Sequence, residues 1–268
     1  MALIGVFDSG VGGLSILDEA LRQLPQHDYI YLADSANAPY GEKSSEWIAA
    51  RSLILCKYLV SQGCDAIVVA CNTATAEAIK QIRAELSIPI IGVEPGIKPA
   101  AMQSQNGIVG VLATEATLKS DKFNALLATL PEHCRFIKQS GAGLVPLIEA
   151  GKANSEETLD LLGKHLEPIL DAGSDTLVLG CTHYPFLRKS IRKLLGDTIT
   201  LIDTSDAVVK QLGRQLEILG LNPDSGERGS VTFISSKNEA SLLVMAKDLL
   251  SSDLNLHTTS SALLGDVS

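Results

Sequence analysis

The sequence predicts an α/β fold of two similar domains with mainly parallel sheets, and three observations point there. Short β-branched runs alternate with longer stretches of helical period. Those runs are continuously apolar rather than alternating, as expected for strands covered on both faces. One stretch of the chain also recurs: Gly63-Cys64-Asp65-Ala66-Ile67-Val68-Val69-Ala70-Cys71-Asn72-Thr73 parallels Gly173-Ser174-Asp175-Thr176-Leu177-Val178-Leu179-Gly180-Cys181-Thr182-His183, with Gly, Asp and Cys at the same internal spacing.

Taken in order, the apolar run 3–7 reads as the first strand, and a helix follows over 14–24 after the glycine-rich stretch 8–13. Strand 29–32 leads into a loop holding Pro39 and Gly41, then into the apolar helix 45–62. Strand 66–70 runs into helix 73–86, and strands 90–93 and 108–112 precede helix 115–130. Helix 155–172 contains Pro168, which should kink or split it. Strand 176–180, helix 185–195, strand 198–202 and helix 206–219 repeat the earlier order, before strand 231–234 and helix 237–250. From 251 onward the chain is Ser-rich and weakly periodic, the signature of a loose tail.

Composition narrows the function. At 268 residues, 46% hydrophobic and 20% charged, the chain has ordinary globular usage and is neither disordered nor fibrous. A net charge of -9 argues against nucleic acid and anionic membrane surfaces as partners. There is no apolar run of about 20 residues to span a membrane. Asp8 falls where a signal peptide would still be apolar, and a basic n-region is missing, so a cytoplasmic location is expected. The five cysteines, Cys56, Cys64, Cys71, Cys134 and Cys181, are odd in number and form no C-x-x-C pair, which disfavours a disulfide framework or structural zinc. No cluster has metal-ligand spacing, so no metal is expected, and no lysine stands out for a pyridoxal Schiff base.

Residues just past the carboxyl ends of strands line the ligand crevice of open α/β sheets. Cys71 and Cys181 both fall there, each before a polar pair (Asn72-Thr73, Thr182-His183) and each at the expected start of a helix, whose N-terminus favours a thiolate. Two buried apolar thiols would be the plainer reading, and Cys56, Cys64 and Cys134 take it. Two halves facing each other would bring Cys71 and Cys181 to opposite walls of one cleft. A pair of thiols so placed suits inversion of a stereocentre: one takes the α-proton, the other delivers a proton from behind, and nearby donors stabilise the carbanion. Asp8 caps a helix, accepts a proton from a thiol or holds an ammonium group. The stretch 8–13 matches neither common nucleotide-binding glycine pattern. Pro39-Tyr40-Gly41, after Asp34, is an ordinary turn or a rim that closes on a small ligand. His183 beside Cys181 suits acid–base work, and Glu149, on a short helix ending at Gly151, reads alone as a surface carboxylate.

Asp8-Ser9-Gly10-Val11-Gly12-Gly13, Asp34 with Pro39-Tyr40-Gly41, Cys71-Asn72-Thr73-Ala74, Ala113-Thr114 and Leu179-Gly180-Cys181-Thr182-His183-Tyr184-Pro185 together resemble the bacterial glutamate racemase family, collinearly from about residue 3 to 250. The resemblance implies a cofactor-independent racemase interconverting L- and D-glutamate, with D-glutamate going to peptidoglycan. It implies Cys71 as the base acting on D-glutamate and Cys181 as the base acting on L-glutamate. Asp8 matches the acidic partner of the first thiol, and His183 with Glu149 the partners of the second. Ser9, Tyr40, Gly41, Asn72, Thr73, Thr114, Thr117 and Thr182 fall where the family holds its substrate. It further implies one domain from 1–97 plus 206–255, a second from 98–205 related to it by a pseudo-two-fold, a site between them, a tail over 256–268, and a homodimer. Departures are small: Asp203-Thr204 in place of Asp-Ser, and Phe186 in place of Leu. Longer-tailed relatives respond to a muramyl-nucleotide precursor, and only seven residues precede Asp8 here. Aspartate racemases differ at the first loop and follow the second cysteine with Thr-Glu. A single-thiol decarboxylase lacks one cysteine, and a periplasmic-type binding module needs a signal peptide and no thiol pair.

Overall fold

All paired strands of the computed structural model run parallel. The structure describes residues 1–131, 133–221, 226, 228–250 and 256–258. The chain divides into two compact units, Met1–Val93 with Ser205–Ser268, and Glu94–Thr204.

The first unit opens with β1 (Leu3–Asp8), α1 (Leu14–Gln23) and β2 (Asp28–Ala33), continues through a 3-10 turn at Tyr40–Glu42 to α2 (Ser45–Ser61), and follows with β3 (Ala66–Val69), α3 (Asn72–Glu85) and β4 (Ile90–Gly92). The second unit contains α4 (Ile97–Gln103), β5 (Ile108–Ala113), α5 (Glu115–Lys119), α6 (Asp121–Leu127), β6 (Arg135–Ser140), α7 (Leu144–Glu149), α8 (Glu156–Asp171), β7 (Thr176–Gly180), a 3-10 turn at Tyr184–Leu187, α9 (Arg188–Leu195) and β8 (Thr200–Ile202). The chain then completes the first unit with α10 (Ser205–Ile218), β9 (Val231–Ser235), α11 (Glu239–Leu249) and β10 (Leu256–Thr258). Apart from β10, the expected loose tail lies outside the described residues.

The sheet orders explain the sequence repeat. The first sheet runs β10-β9-β2-β1-β3-β4 and the second β6-β5-β7-β8, so β2-β1-β3-β4 is repeated strand for strand. Gly63 and Gly173 each end a helix in the left-handed region (φ +86° and +76°), where a side chain would be strained. Two residues on, Asp65 accepts the Leu3 amide at 2.9 Å, and Asp175 accepts the Gln105 and Asn106 amides at 2.7 and 2.8 Å. The repeated Gly-x-Asp therefore stops a helix and clasps the approach to the first strand of its unit.

In the first sheet Phe7, Leu32, Ile67 and Val69 pack with Leu55, Leu59, Ala78 and Ile82 of α2 and α3. Val6, Tyr31 and Val68 take the opposite face by strand alternation and are also buried. Both faces are covered, which is why these strands read as unbroken apolar runs.

Four features differ from expectation. β6 went unread because Arg-Phe-Ile-Lys-Gln-Ser mixes charge with apolar residues at a half-exposed sheet edge. The helix expected over 115–130 breaks at Ser120, whose extended backbone and hydroxyl cap α6 by accepting the Phe123 amide at 3.2 Å. α8 is not split: it runs through Pro168, which sits in its last turn and removes only one N–H donor. α4, seven residues long with Pro99 near its start, carries too little periodicity to be recognised.

Candidate active site

In each sheet the chain order reverses beside the unit's first strand, between β1 and β3 and between β5 and β7. Groups just past the carboxyl ends of such strands open onto the crevice where α/β proteins hold ligands. Both cysteines of the repeat are there.

The first cluster forms where β1 and β3 end side by side, tied by the Ala70 amide donating to the Phe7 carbonyl at 2.7 Å. Cys71 is the N-cap of α3, and its Sγ accepts the Ala74 amide at 3.5 Å. The Ser9 hydroxyl lies 3.6 Å from the same sulfur. Asp8 is fully buried, and its Oδ1 accepts the Gly10 amide at 2.8 Å. It closes a turn there rather than capping α1, whose N-cap is Gly13. The Tyr31 hydroxyl pins the same loop by donating to the Gly10 carbonyl at 2.8 Å. Asn72 and Thr73, both buried, begin α3.

Tyr40 and Gly41 lie in the 3-10 turn. The Tyr40 ring packs 6.2 Å from Phe7 and edge-on to Trp47 at 5.3 Å, within the buried cluster that contains Cys71. Its hydroxyl donates to Asp34 Oδ2 at 2.7 Å. Arg51 of α2 grips the same carboxylate bidentately, Nε at 2.9 Å and Nη2 at 2.8 Å. Burial opposes the charge on Asp34, yet the bonds from Arg51 and Tyr40 outweigh it and hold the carboxyl below its usual range. Burial, then the Asp34 carboxylate, then Cys71 push the Tyr40 phenol far up, so it stays a neutral donor.

The second cluster forms past β5 and β7. Thr114 caps α5, accepting the Thr117 amide at 3.2 Å, and the two hydroxyls lie 2.8 Å apart. Cys181 follows β7 and is buried with Thr182 and His183. It opens a turn, not the expected helix: the 3-10 residues Tyr184–Leu187 intervene before α9. His183 Nδ1 is 3.7 Å from Cys181 Sγ, and its Nε2 is 2.6 Å from Glu149 Oε1 at the end of α7. Burial opposes a charged imidazole, but the contacts to Cys181 and Glu149 prevail and hold His183 well above the usual histidine range. Glu149 is therefore a partner of His183, not a lone surface carboxylate. Fully buried Tyr184 stands beside them, its phenol pushed up by burial and by Cys181.

The remaining thiols differ. Cys56 and Cys64 are packed among apolar side chains, and burial pushes each to about 12. Cys134 is half-buried. Asp34 was legible in the sequence as a loop residue. Arg51 was not, although an arginine inside the apolar helix α2 marks a buried partner. Among the described residues no three His, Cys, Asp or Glu side chains gather as a metal site, and no helix is long and apolar enough to cross a membrane.

Comparison with known proteins follows the same pattern. The family described as Asp/Glu/Hydantoin racemase matches residues 4–212. The glutamate racemase of Ralstonia pickettii (strain 12J) is 53% identical over 249 residues, covering 93% of this chain and 88% of that protein. The crystal structure of Escherichia coli glutamate racemase with L-glutamate and the activator UDP-MurNAc-ala superposes with a TM-score of 0.84 at 33% identity, covering 97% of each chain. Glutamate racemase from Francisella tularensis subsp. tularensis SCHU S4, in complex with D-glutamate, does so with a TM-score of 0.83 at 30% identity, again over 97% of each chain.

Proposed function

The chain belongs to the Asp/Glu/Hydantoin racemase family, and from that premise we propose that it interconverts L- and D-glutamate without a cofactor, using Cys71 and Cys181 as its two bases. The observation that carries this reading is the duplicated strand-end cysteine, each copy set among groups that answer a negative charge on sulfur: the N-terminus of α3 with Ser9 for Cys71, and His183 with Glu149 for Cys181.

In the L-to-D direction the Cys181 thiolate takes the α-proton. The electron pair of the broken C–H bond passes toward the α-carboxylate, and the Cys71 thiol gives its proton to the opposite face. Cys181 ends as a thiol and Cys71 as a thiolate; the D-to-L direction runs the steps backward. Hydrogen-bond donors must meet the charge that develops on the substrate carboxylate. Ser9, Asn72, Thr73 and the Tyr40-Gly41 turn of the first unit, and Thr114, Thr117 and Thr182 of the second, supply that chemistry. Asp8 serves as proton partner of Cys71 or counter-charge to the substrate ammonium. The same reading extends to D-glutamate as a precursor of peptidoglycan, to a cytoplasmic homodimer, and to a small-molecule rather than nucleic-acid partner; the net charge of -9 supports the last.

The test is racemisation of L-glutamate in D₂O by protein dialysed against EDTA and free of pyridoxal. The expected D-glutamate carries one α-deuterium from the first turnovers, while the unreacted L-glutamate still carries protium. A product that retains protium, as a single base returning its own proton would give, rules out the two-base mechanism. Loss of activity after EDTA rules out metal-free chemistry.

A further inference from the structure

We infer that Arg51 is a positioning residue for the reaction, acting through Asp34 and the Tyr40 hydroxyl to fix the turn Tyr40–Glu42 beside Cys71. This rests on the proposed glutamate chemistry, and it adds Arg51 and Asp34, which have no part in that mechanism.

The geometry is a three-part tether. Asp34 follows β2, and its amide donates to the Asp8 carbonyl at 3.0 Å, so its backbone is fixed to the end of β1. Its carboxylate is fully buried, and a buried carboxylate is costly unless paired and hydrogen-bonded. Arg51, 12% exposed, supplies the pairing charge through two bonds from a rigid fork. Asn37 adds its side-chain amide at 3.1 Å. The remaining partner is the Tyr40 hydroxyl at 2.7 Å, and it comes from a different kind of element: the turn that presents Gly41.

A phenol has one proton to donate. Tyr40 gives that proton to Asp34, so it is a strut, and donation to a ligand from this turn falls to backbone amides. Their placement depends on where Asp34 holds the ring, and Asp34 holds its orientation only while Arg51 grips both of its oxygens, including the Oδ2 that accepts the Tyr40 hydroxyl. Arg51 acts on the turn through Asp34 and through its own contact with the Tyr40 hydroxyl.

The experiment is a double-mutant cycle on the full chain with Arg51→Lys, Tyr40→Phe and the pair. Arg51→Lys keeps the charge and loses the bidentate fork; Tyr40→Phe keeps the packed ring and loses the strut. Each single variant is expected to raise KM for both enantiomers about tenfold, with kcat held within about threefold. The pair should be no worse than the weaker single variant, because both cut the same tether. Trp47, the single tryptophan, lies edge-on to Tyr40 and reports on it: its emission should shift in Arg51→Lys. Additive KM effects, or an unmoved KM in Arg51→Lys, overturn the inference. Should Arg51→Lys fail to fold, Tyr40→Phe decides alone, since an unmoved KM there also removes the strut. Wild-type protein is the shared control: failure to racemise glutamate overturns the reading of the function, whereas normal wild-type activity with unmoved variants overturns only the role of Arg51.

Discussion

Cys71 and Cys181 occupy matched places in matched strand orders, yet the protein answers the charge on each sulfur by different means. Cys71 caps a helix of 14 residues and accepts an amide from its first turn. An N-terminus of that kind carries roughly half a positive charge, supplied by the backbone and independent of pH. Past Cys181 the same position holds a four-residue 3-10 turn containing Pro185, and the regular helix starts only at Arg188. A short turn offers little dipole. In its place a side chain supplies the charge: His183, 3.7 Å from the sulfur and kept protonated by Cys181 and Glu149 against the cost of burial. The comparison teaches that duplicating a strand-end thiol does not duplicate its electrostatics. Where the helix start is lost, an ionisable group must replace it, and that group titrates.

The largest break in this comparison is expected from His183→Asn. L- and D-glutamate have equal free energies in water, so kcat/KM must be the same in both directions for any variant. The fall in kcat/KM is expected to be about 10²- to 10³-fold. Its division should differ. Without the imidazolium the free enzyme shifts toward the form with the charge on Cys71, which is the form that accepts D-glutamate. From L-glutamate the loss should then read as a higher KM, because the competent form is scarce. From D-glutamate it should read as a lower kcat. Glu149→Gln should show the same pattern at about tenfold, since it weakens the support of His183 without removing it. Polarimetric progress curves from each enantiomer measure both, and a kcat loss from the L side would contradict the assignment of His183 to Cys181.

Ser9→Ala sharpens the comparison from the other side. The Ser9 hydroxyl is 3.6 Å from Cys71 Sγ, and α3 remains to hold the charge after its removal. A loss of about three- to tenfold is expected. Its division should be the mirror image of that of His183→Asn, with KM raised for D-glutamate and kcat lowered for L-glutamate. A division identical to that of His183→Asn would mean the two thiols do not have separate environments.

How much of this was legible depends on where physical constraint left a mark on the chain. Strands such as Leu3–Asp8 and Thr176–Gly180 announce themselves because both faces are covered and every residue must be apolar. The repeated Gly-x-Asp is legible because a left-handed helix end and a carboxylate clasp each demand one residue type. β6 is illegible because an edge strand tolerates Arg135 and Lys138. The broken helix at Ser120 had its capping serine in plain view, but helical period on both sides masked it. Glu149 beside His183 was implied by the family resemblance and by no local pattern, since 34 residues separate them. The pairing of Arg51 with Asp34 joins two different elements, and nothing in the sequence predicts that contact. The residue types past each strand were readable, whereas the geometry that sets their charge states came from the fold.

The second buried histidine, His27, gives the smallest expected effect and the clearest contrast in sign with His183. Its Nδ1 accepts the Ala2 amide at 3.1 Å, which requires that nitrogen to be unprotonated. Burial and the N-terminal ammonium push its pKa down, against weaker opposition from Asp28 and Asp65. For a histidine whose folded pKa is depressed, the unfolded chain takes up the proton first. The stabilisation is therefore complete above the unfolded value of about 6.5 and is lost as pH falls below it. His183 has the opposite sign: its stabilisation is complete below that value and is lost only as pH rises through its elevated folded pKa. Denaturant titrations at about pH 7.5 and about pH 5.5 should thus show an acid-side loss from His27 of about 1 kcal/mol, the worth of one buried hydrogen bond. His27→Gln keeps an acceptor for Ala2 but cannot titrate, so it should remove that part of the acid sensitivity while leaving racemisation at neutral pH unchanged. If the variant keeps the full acid-side loss, the sensitivity arises from carboxylates elsewhere, and the bond between Ala2 and His27 does not govern it.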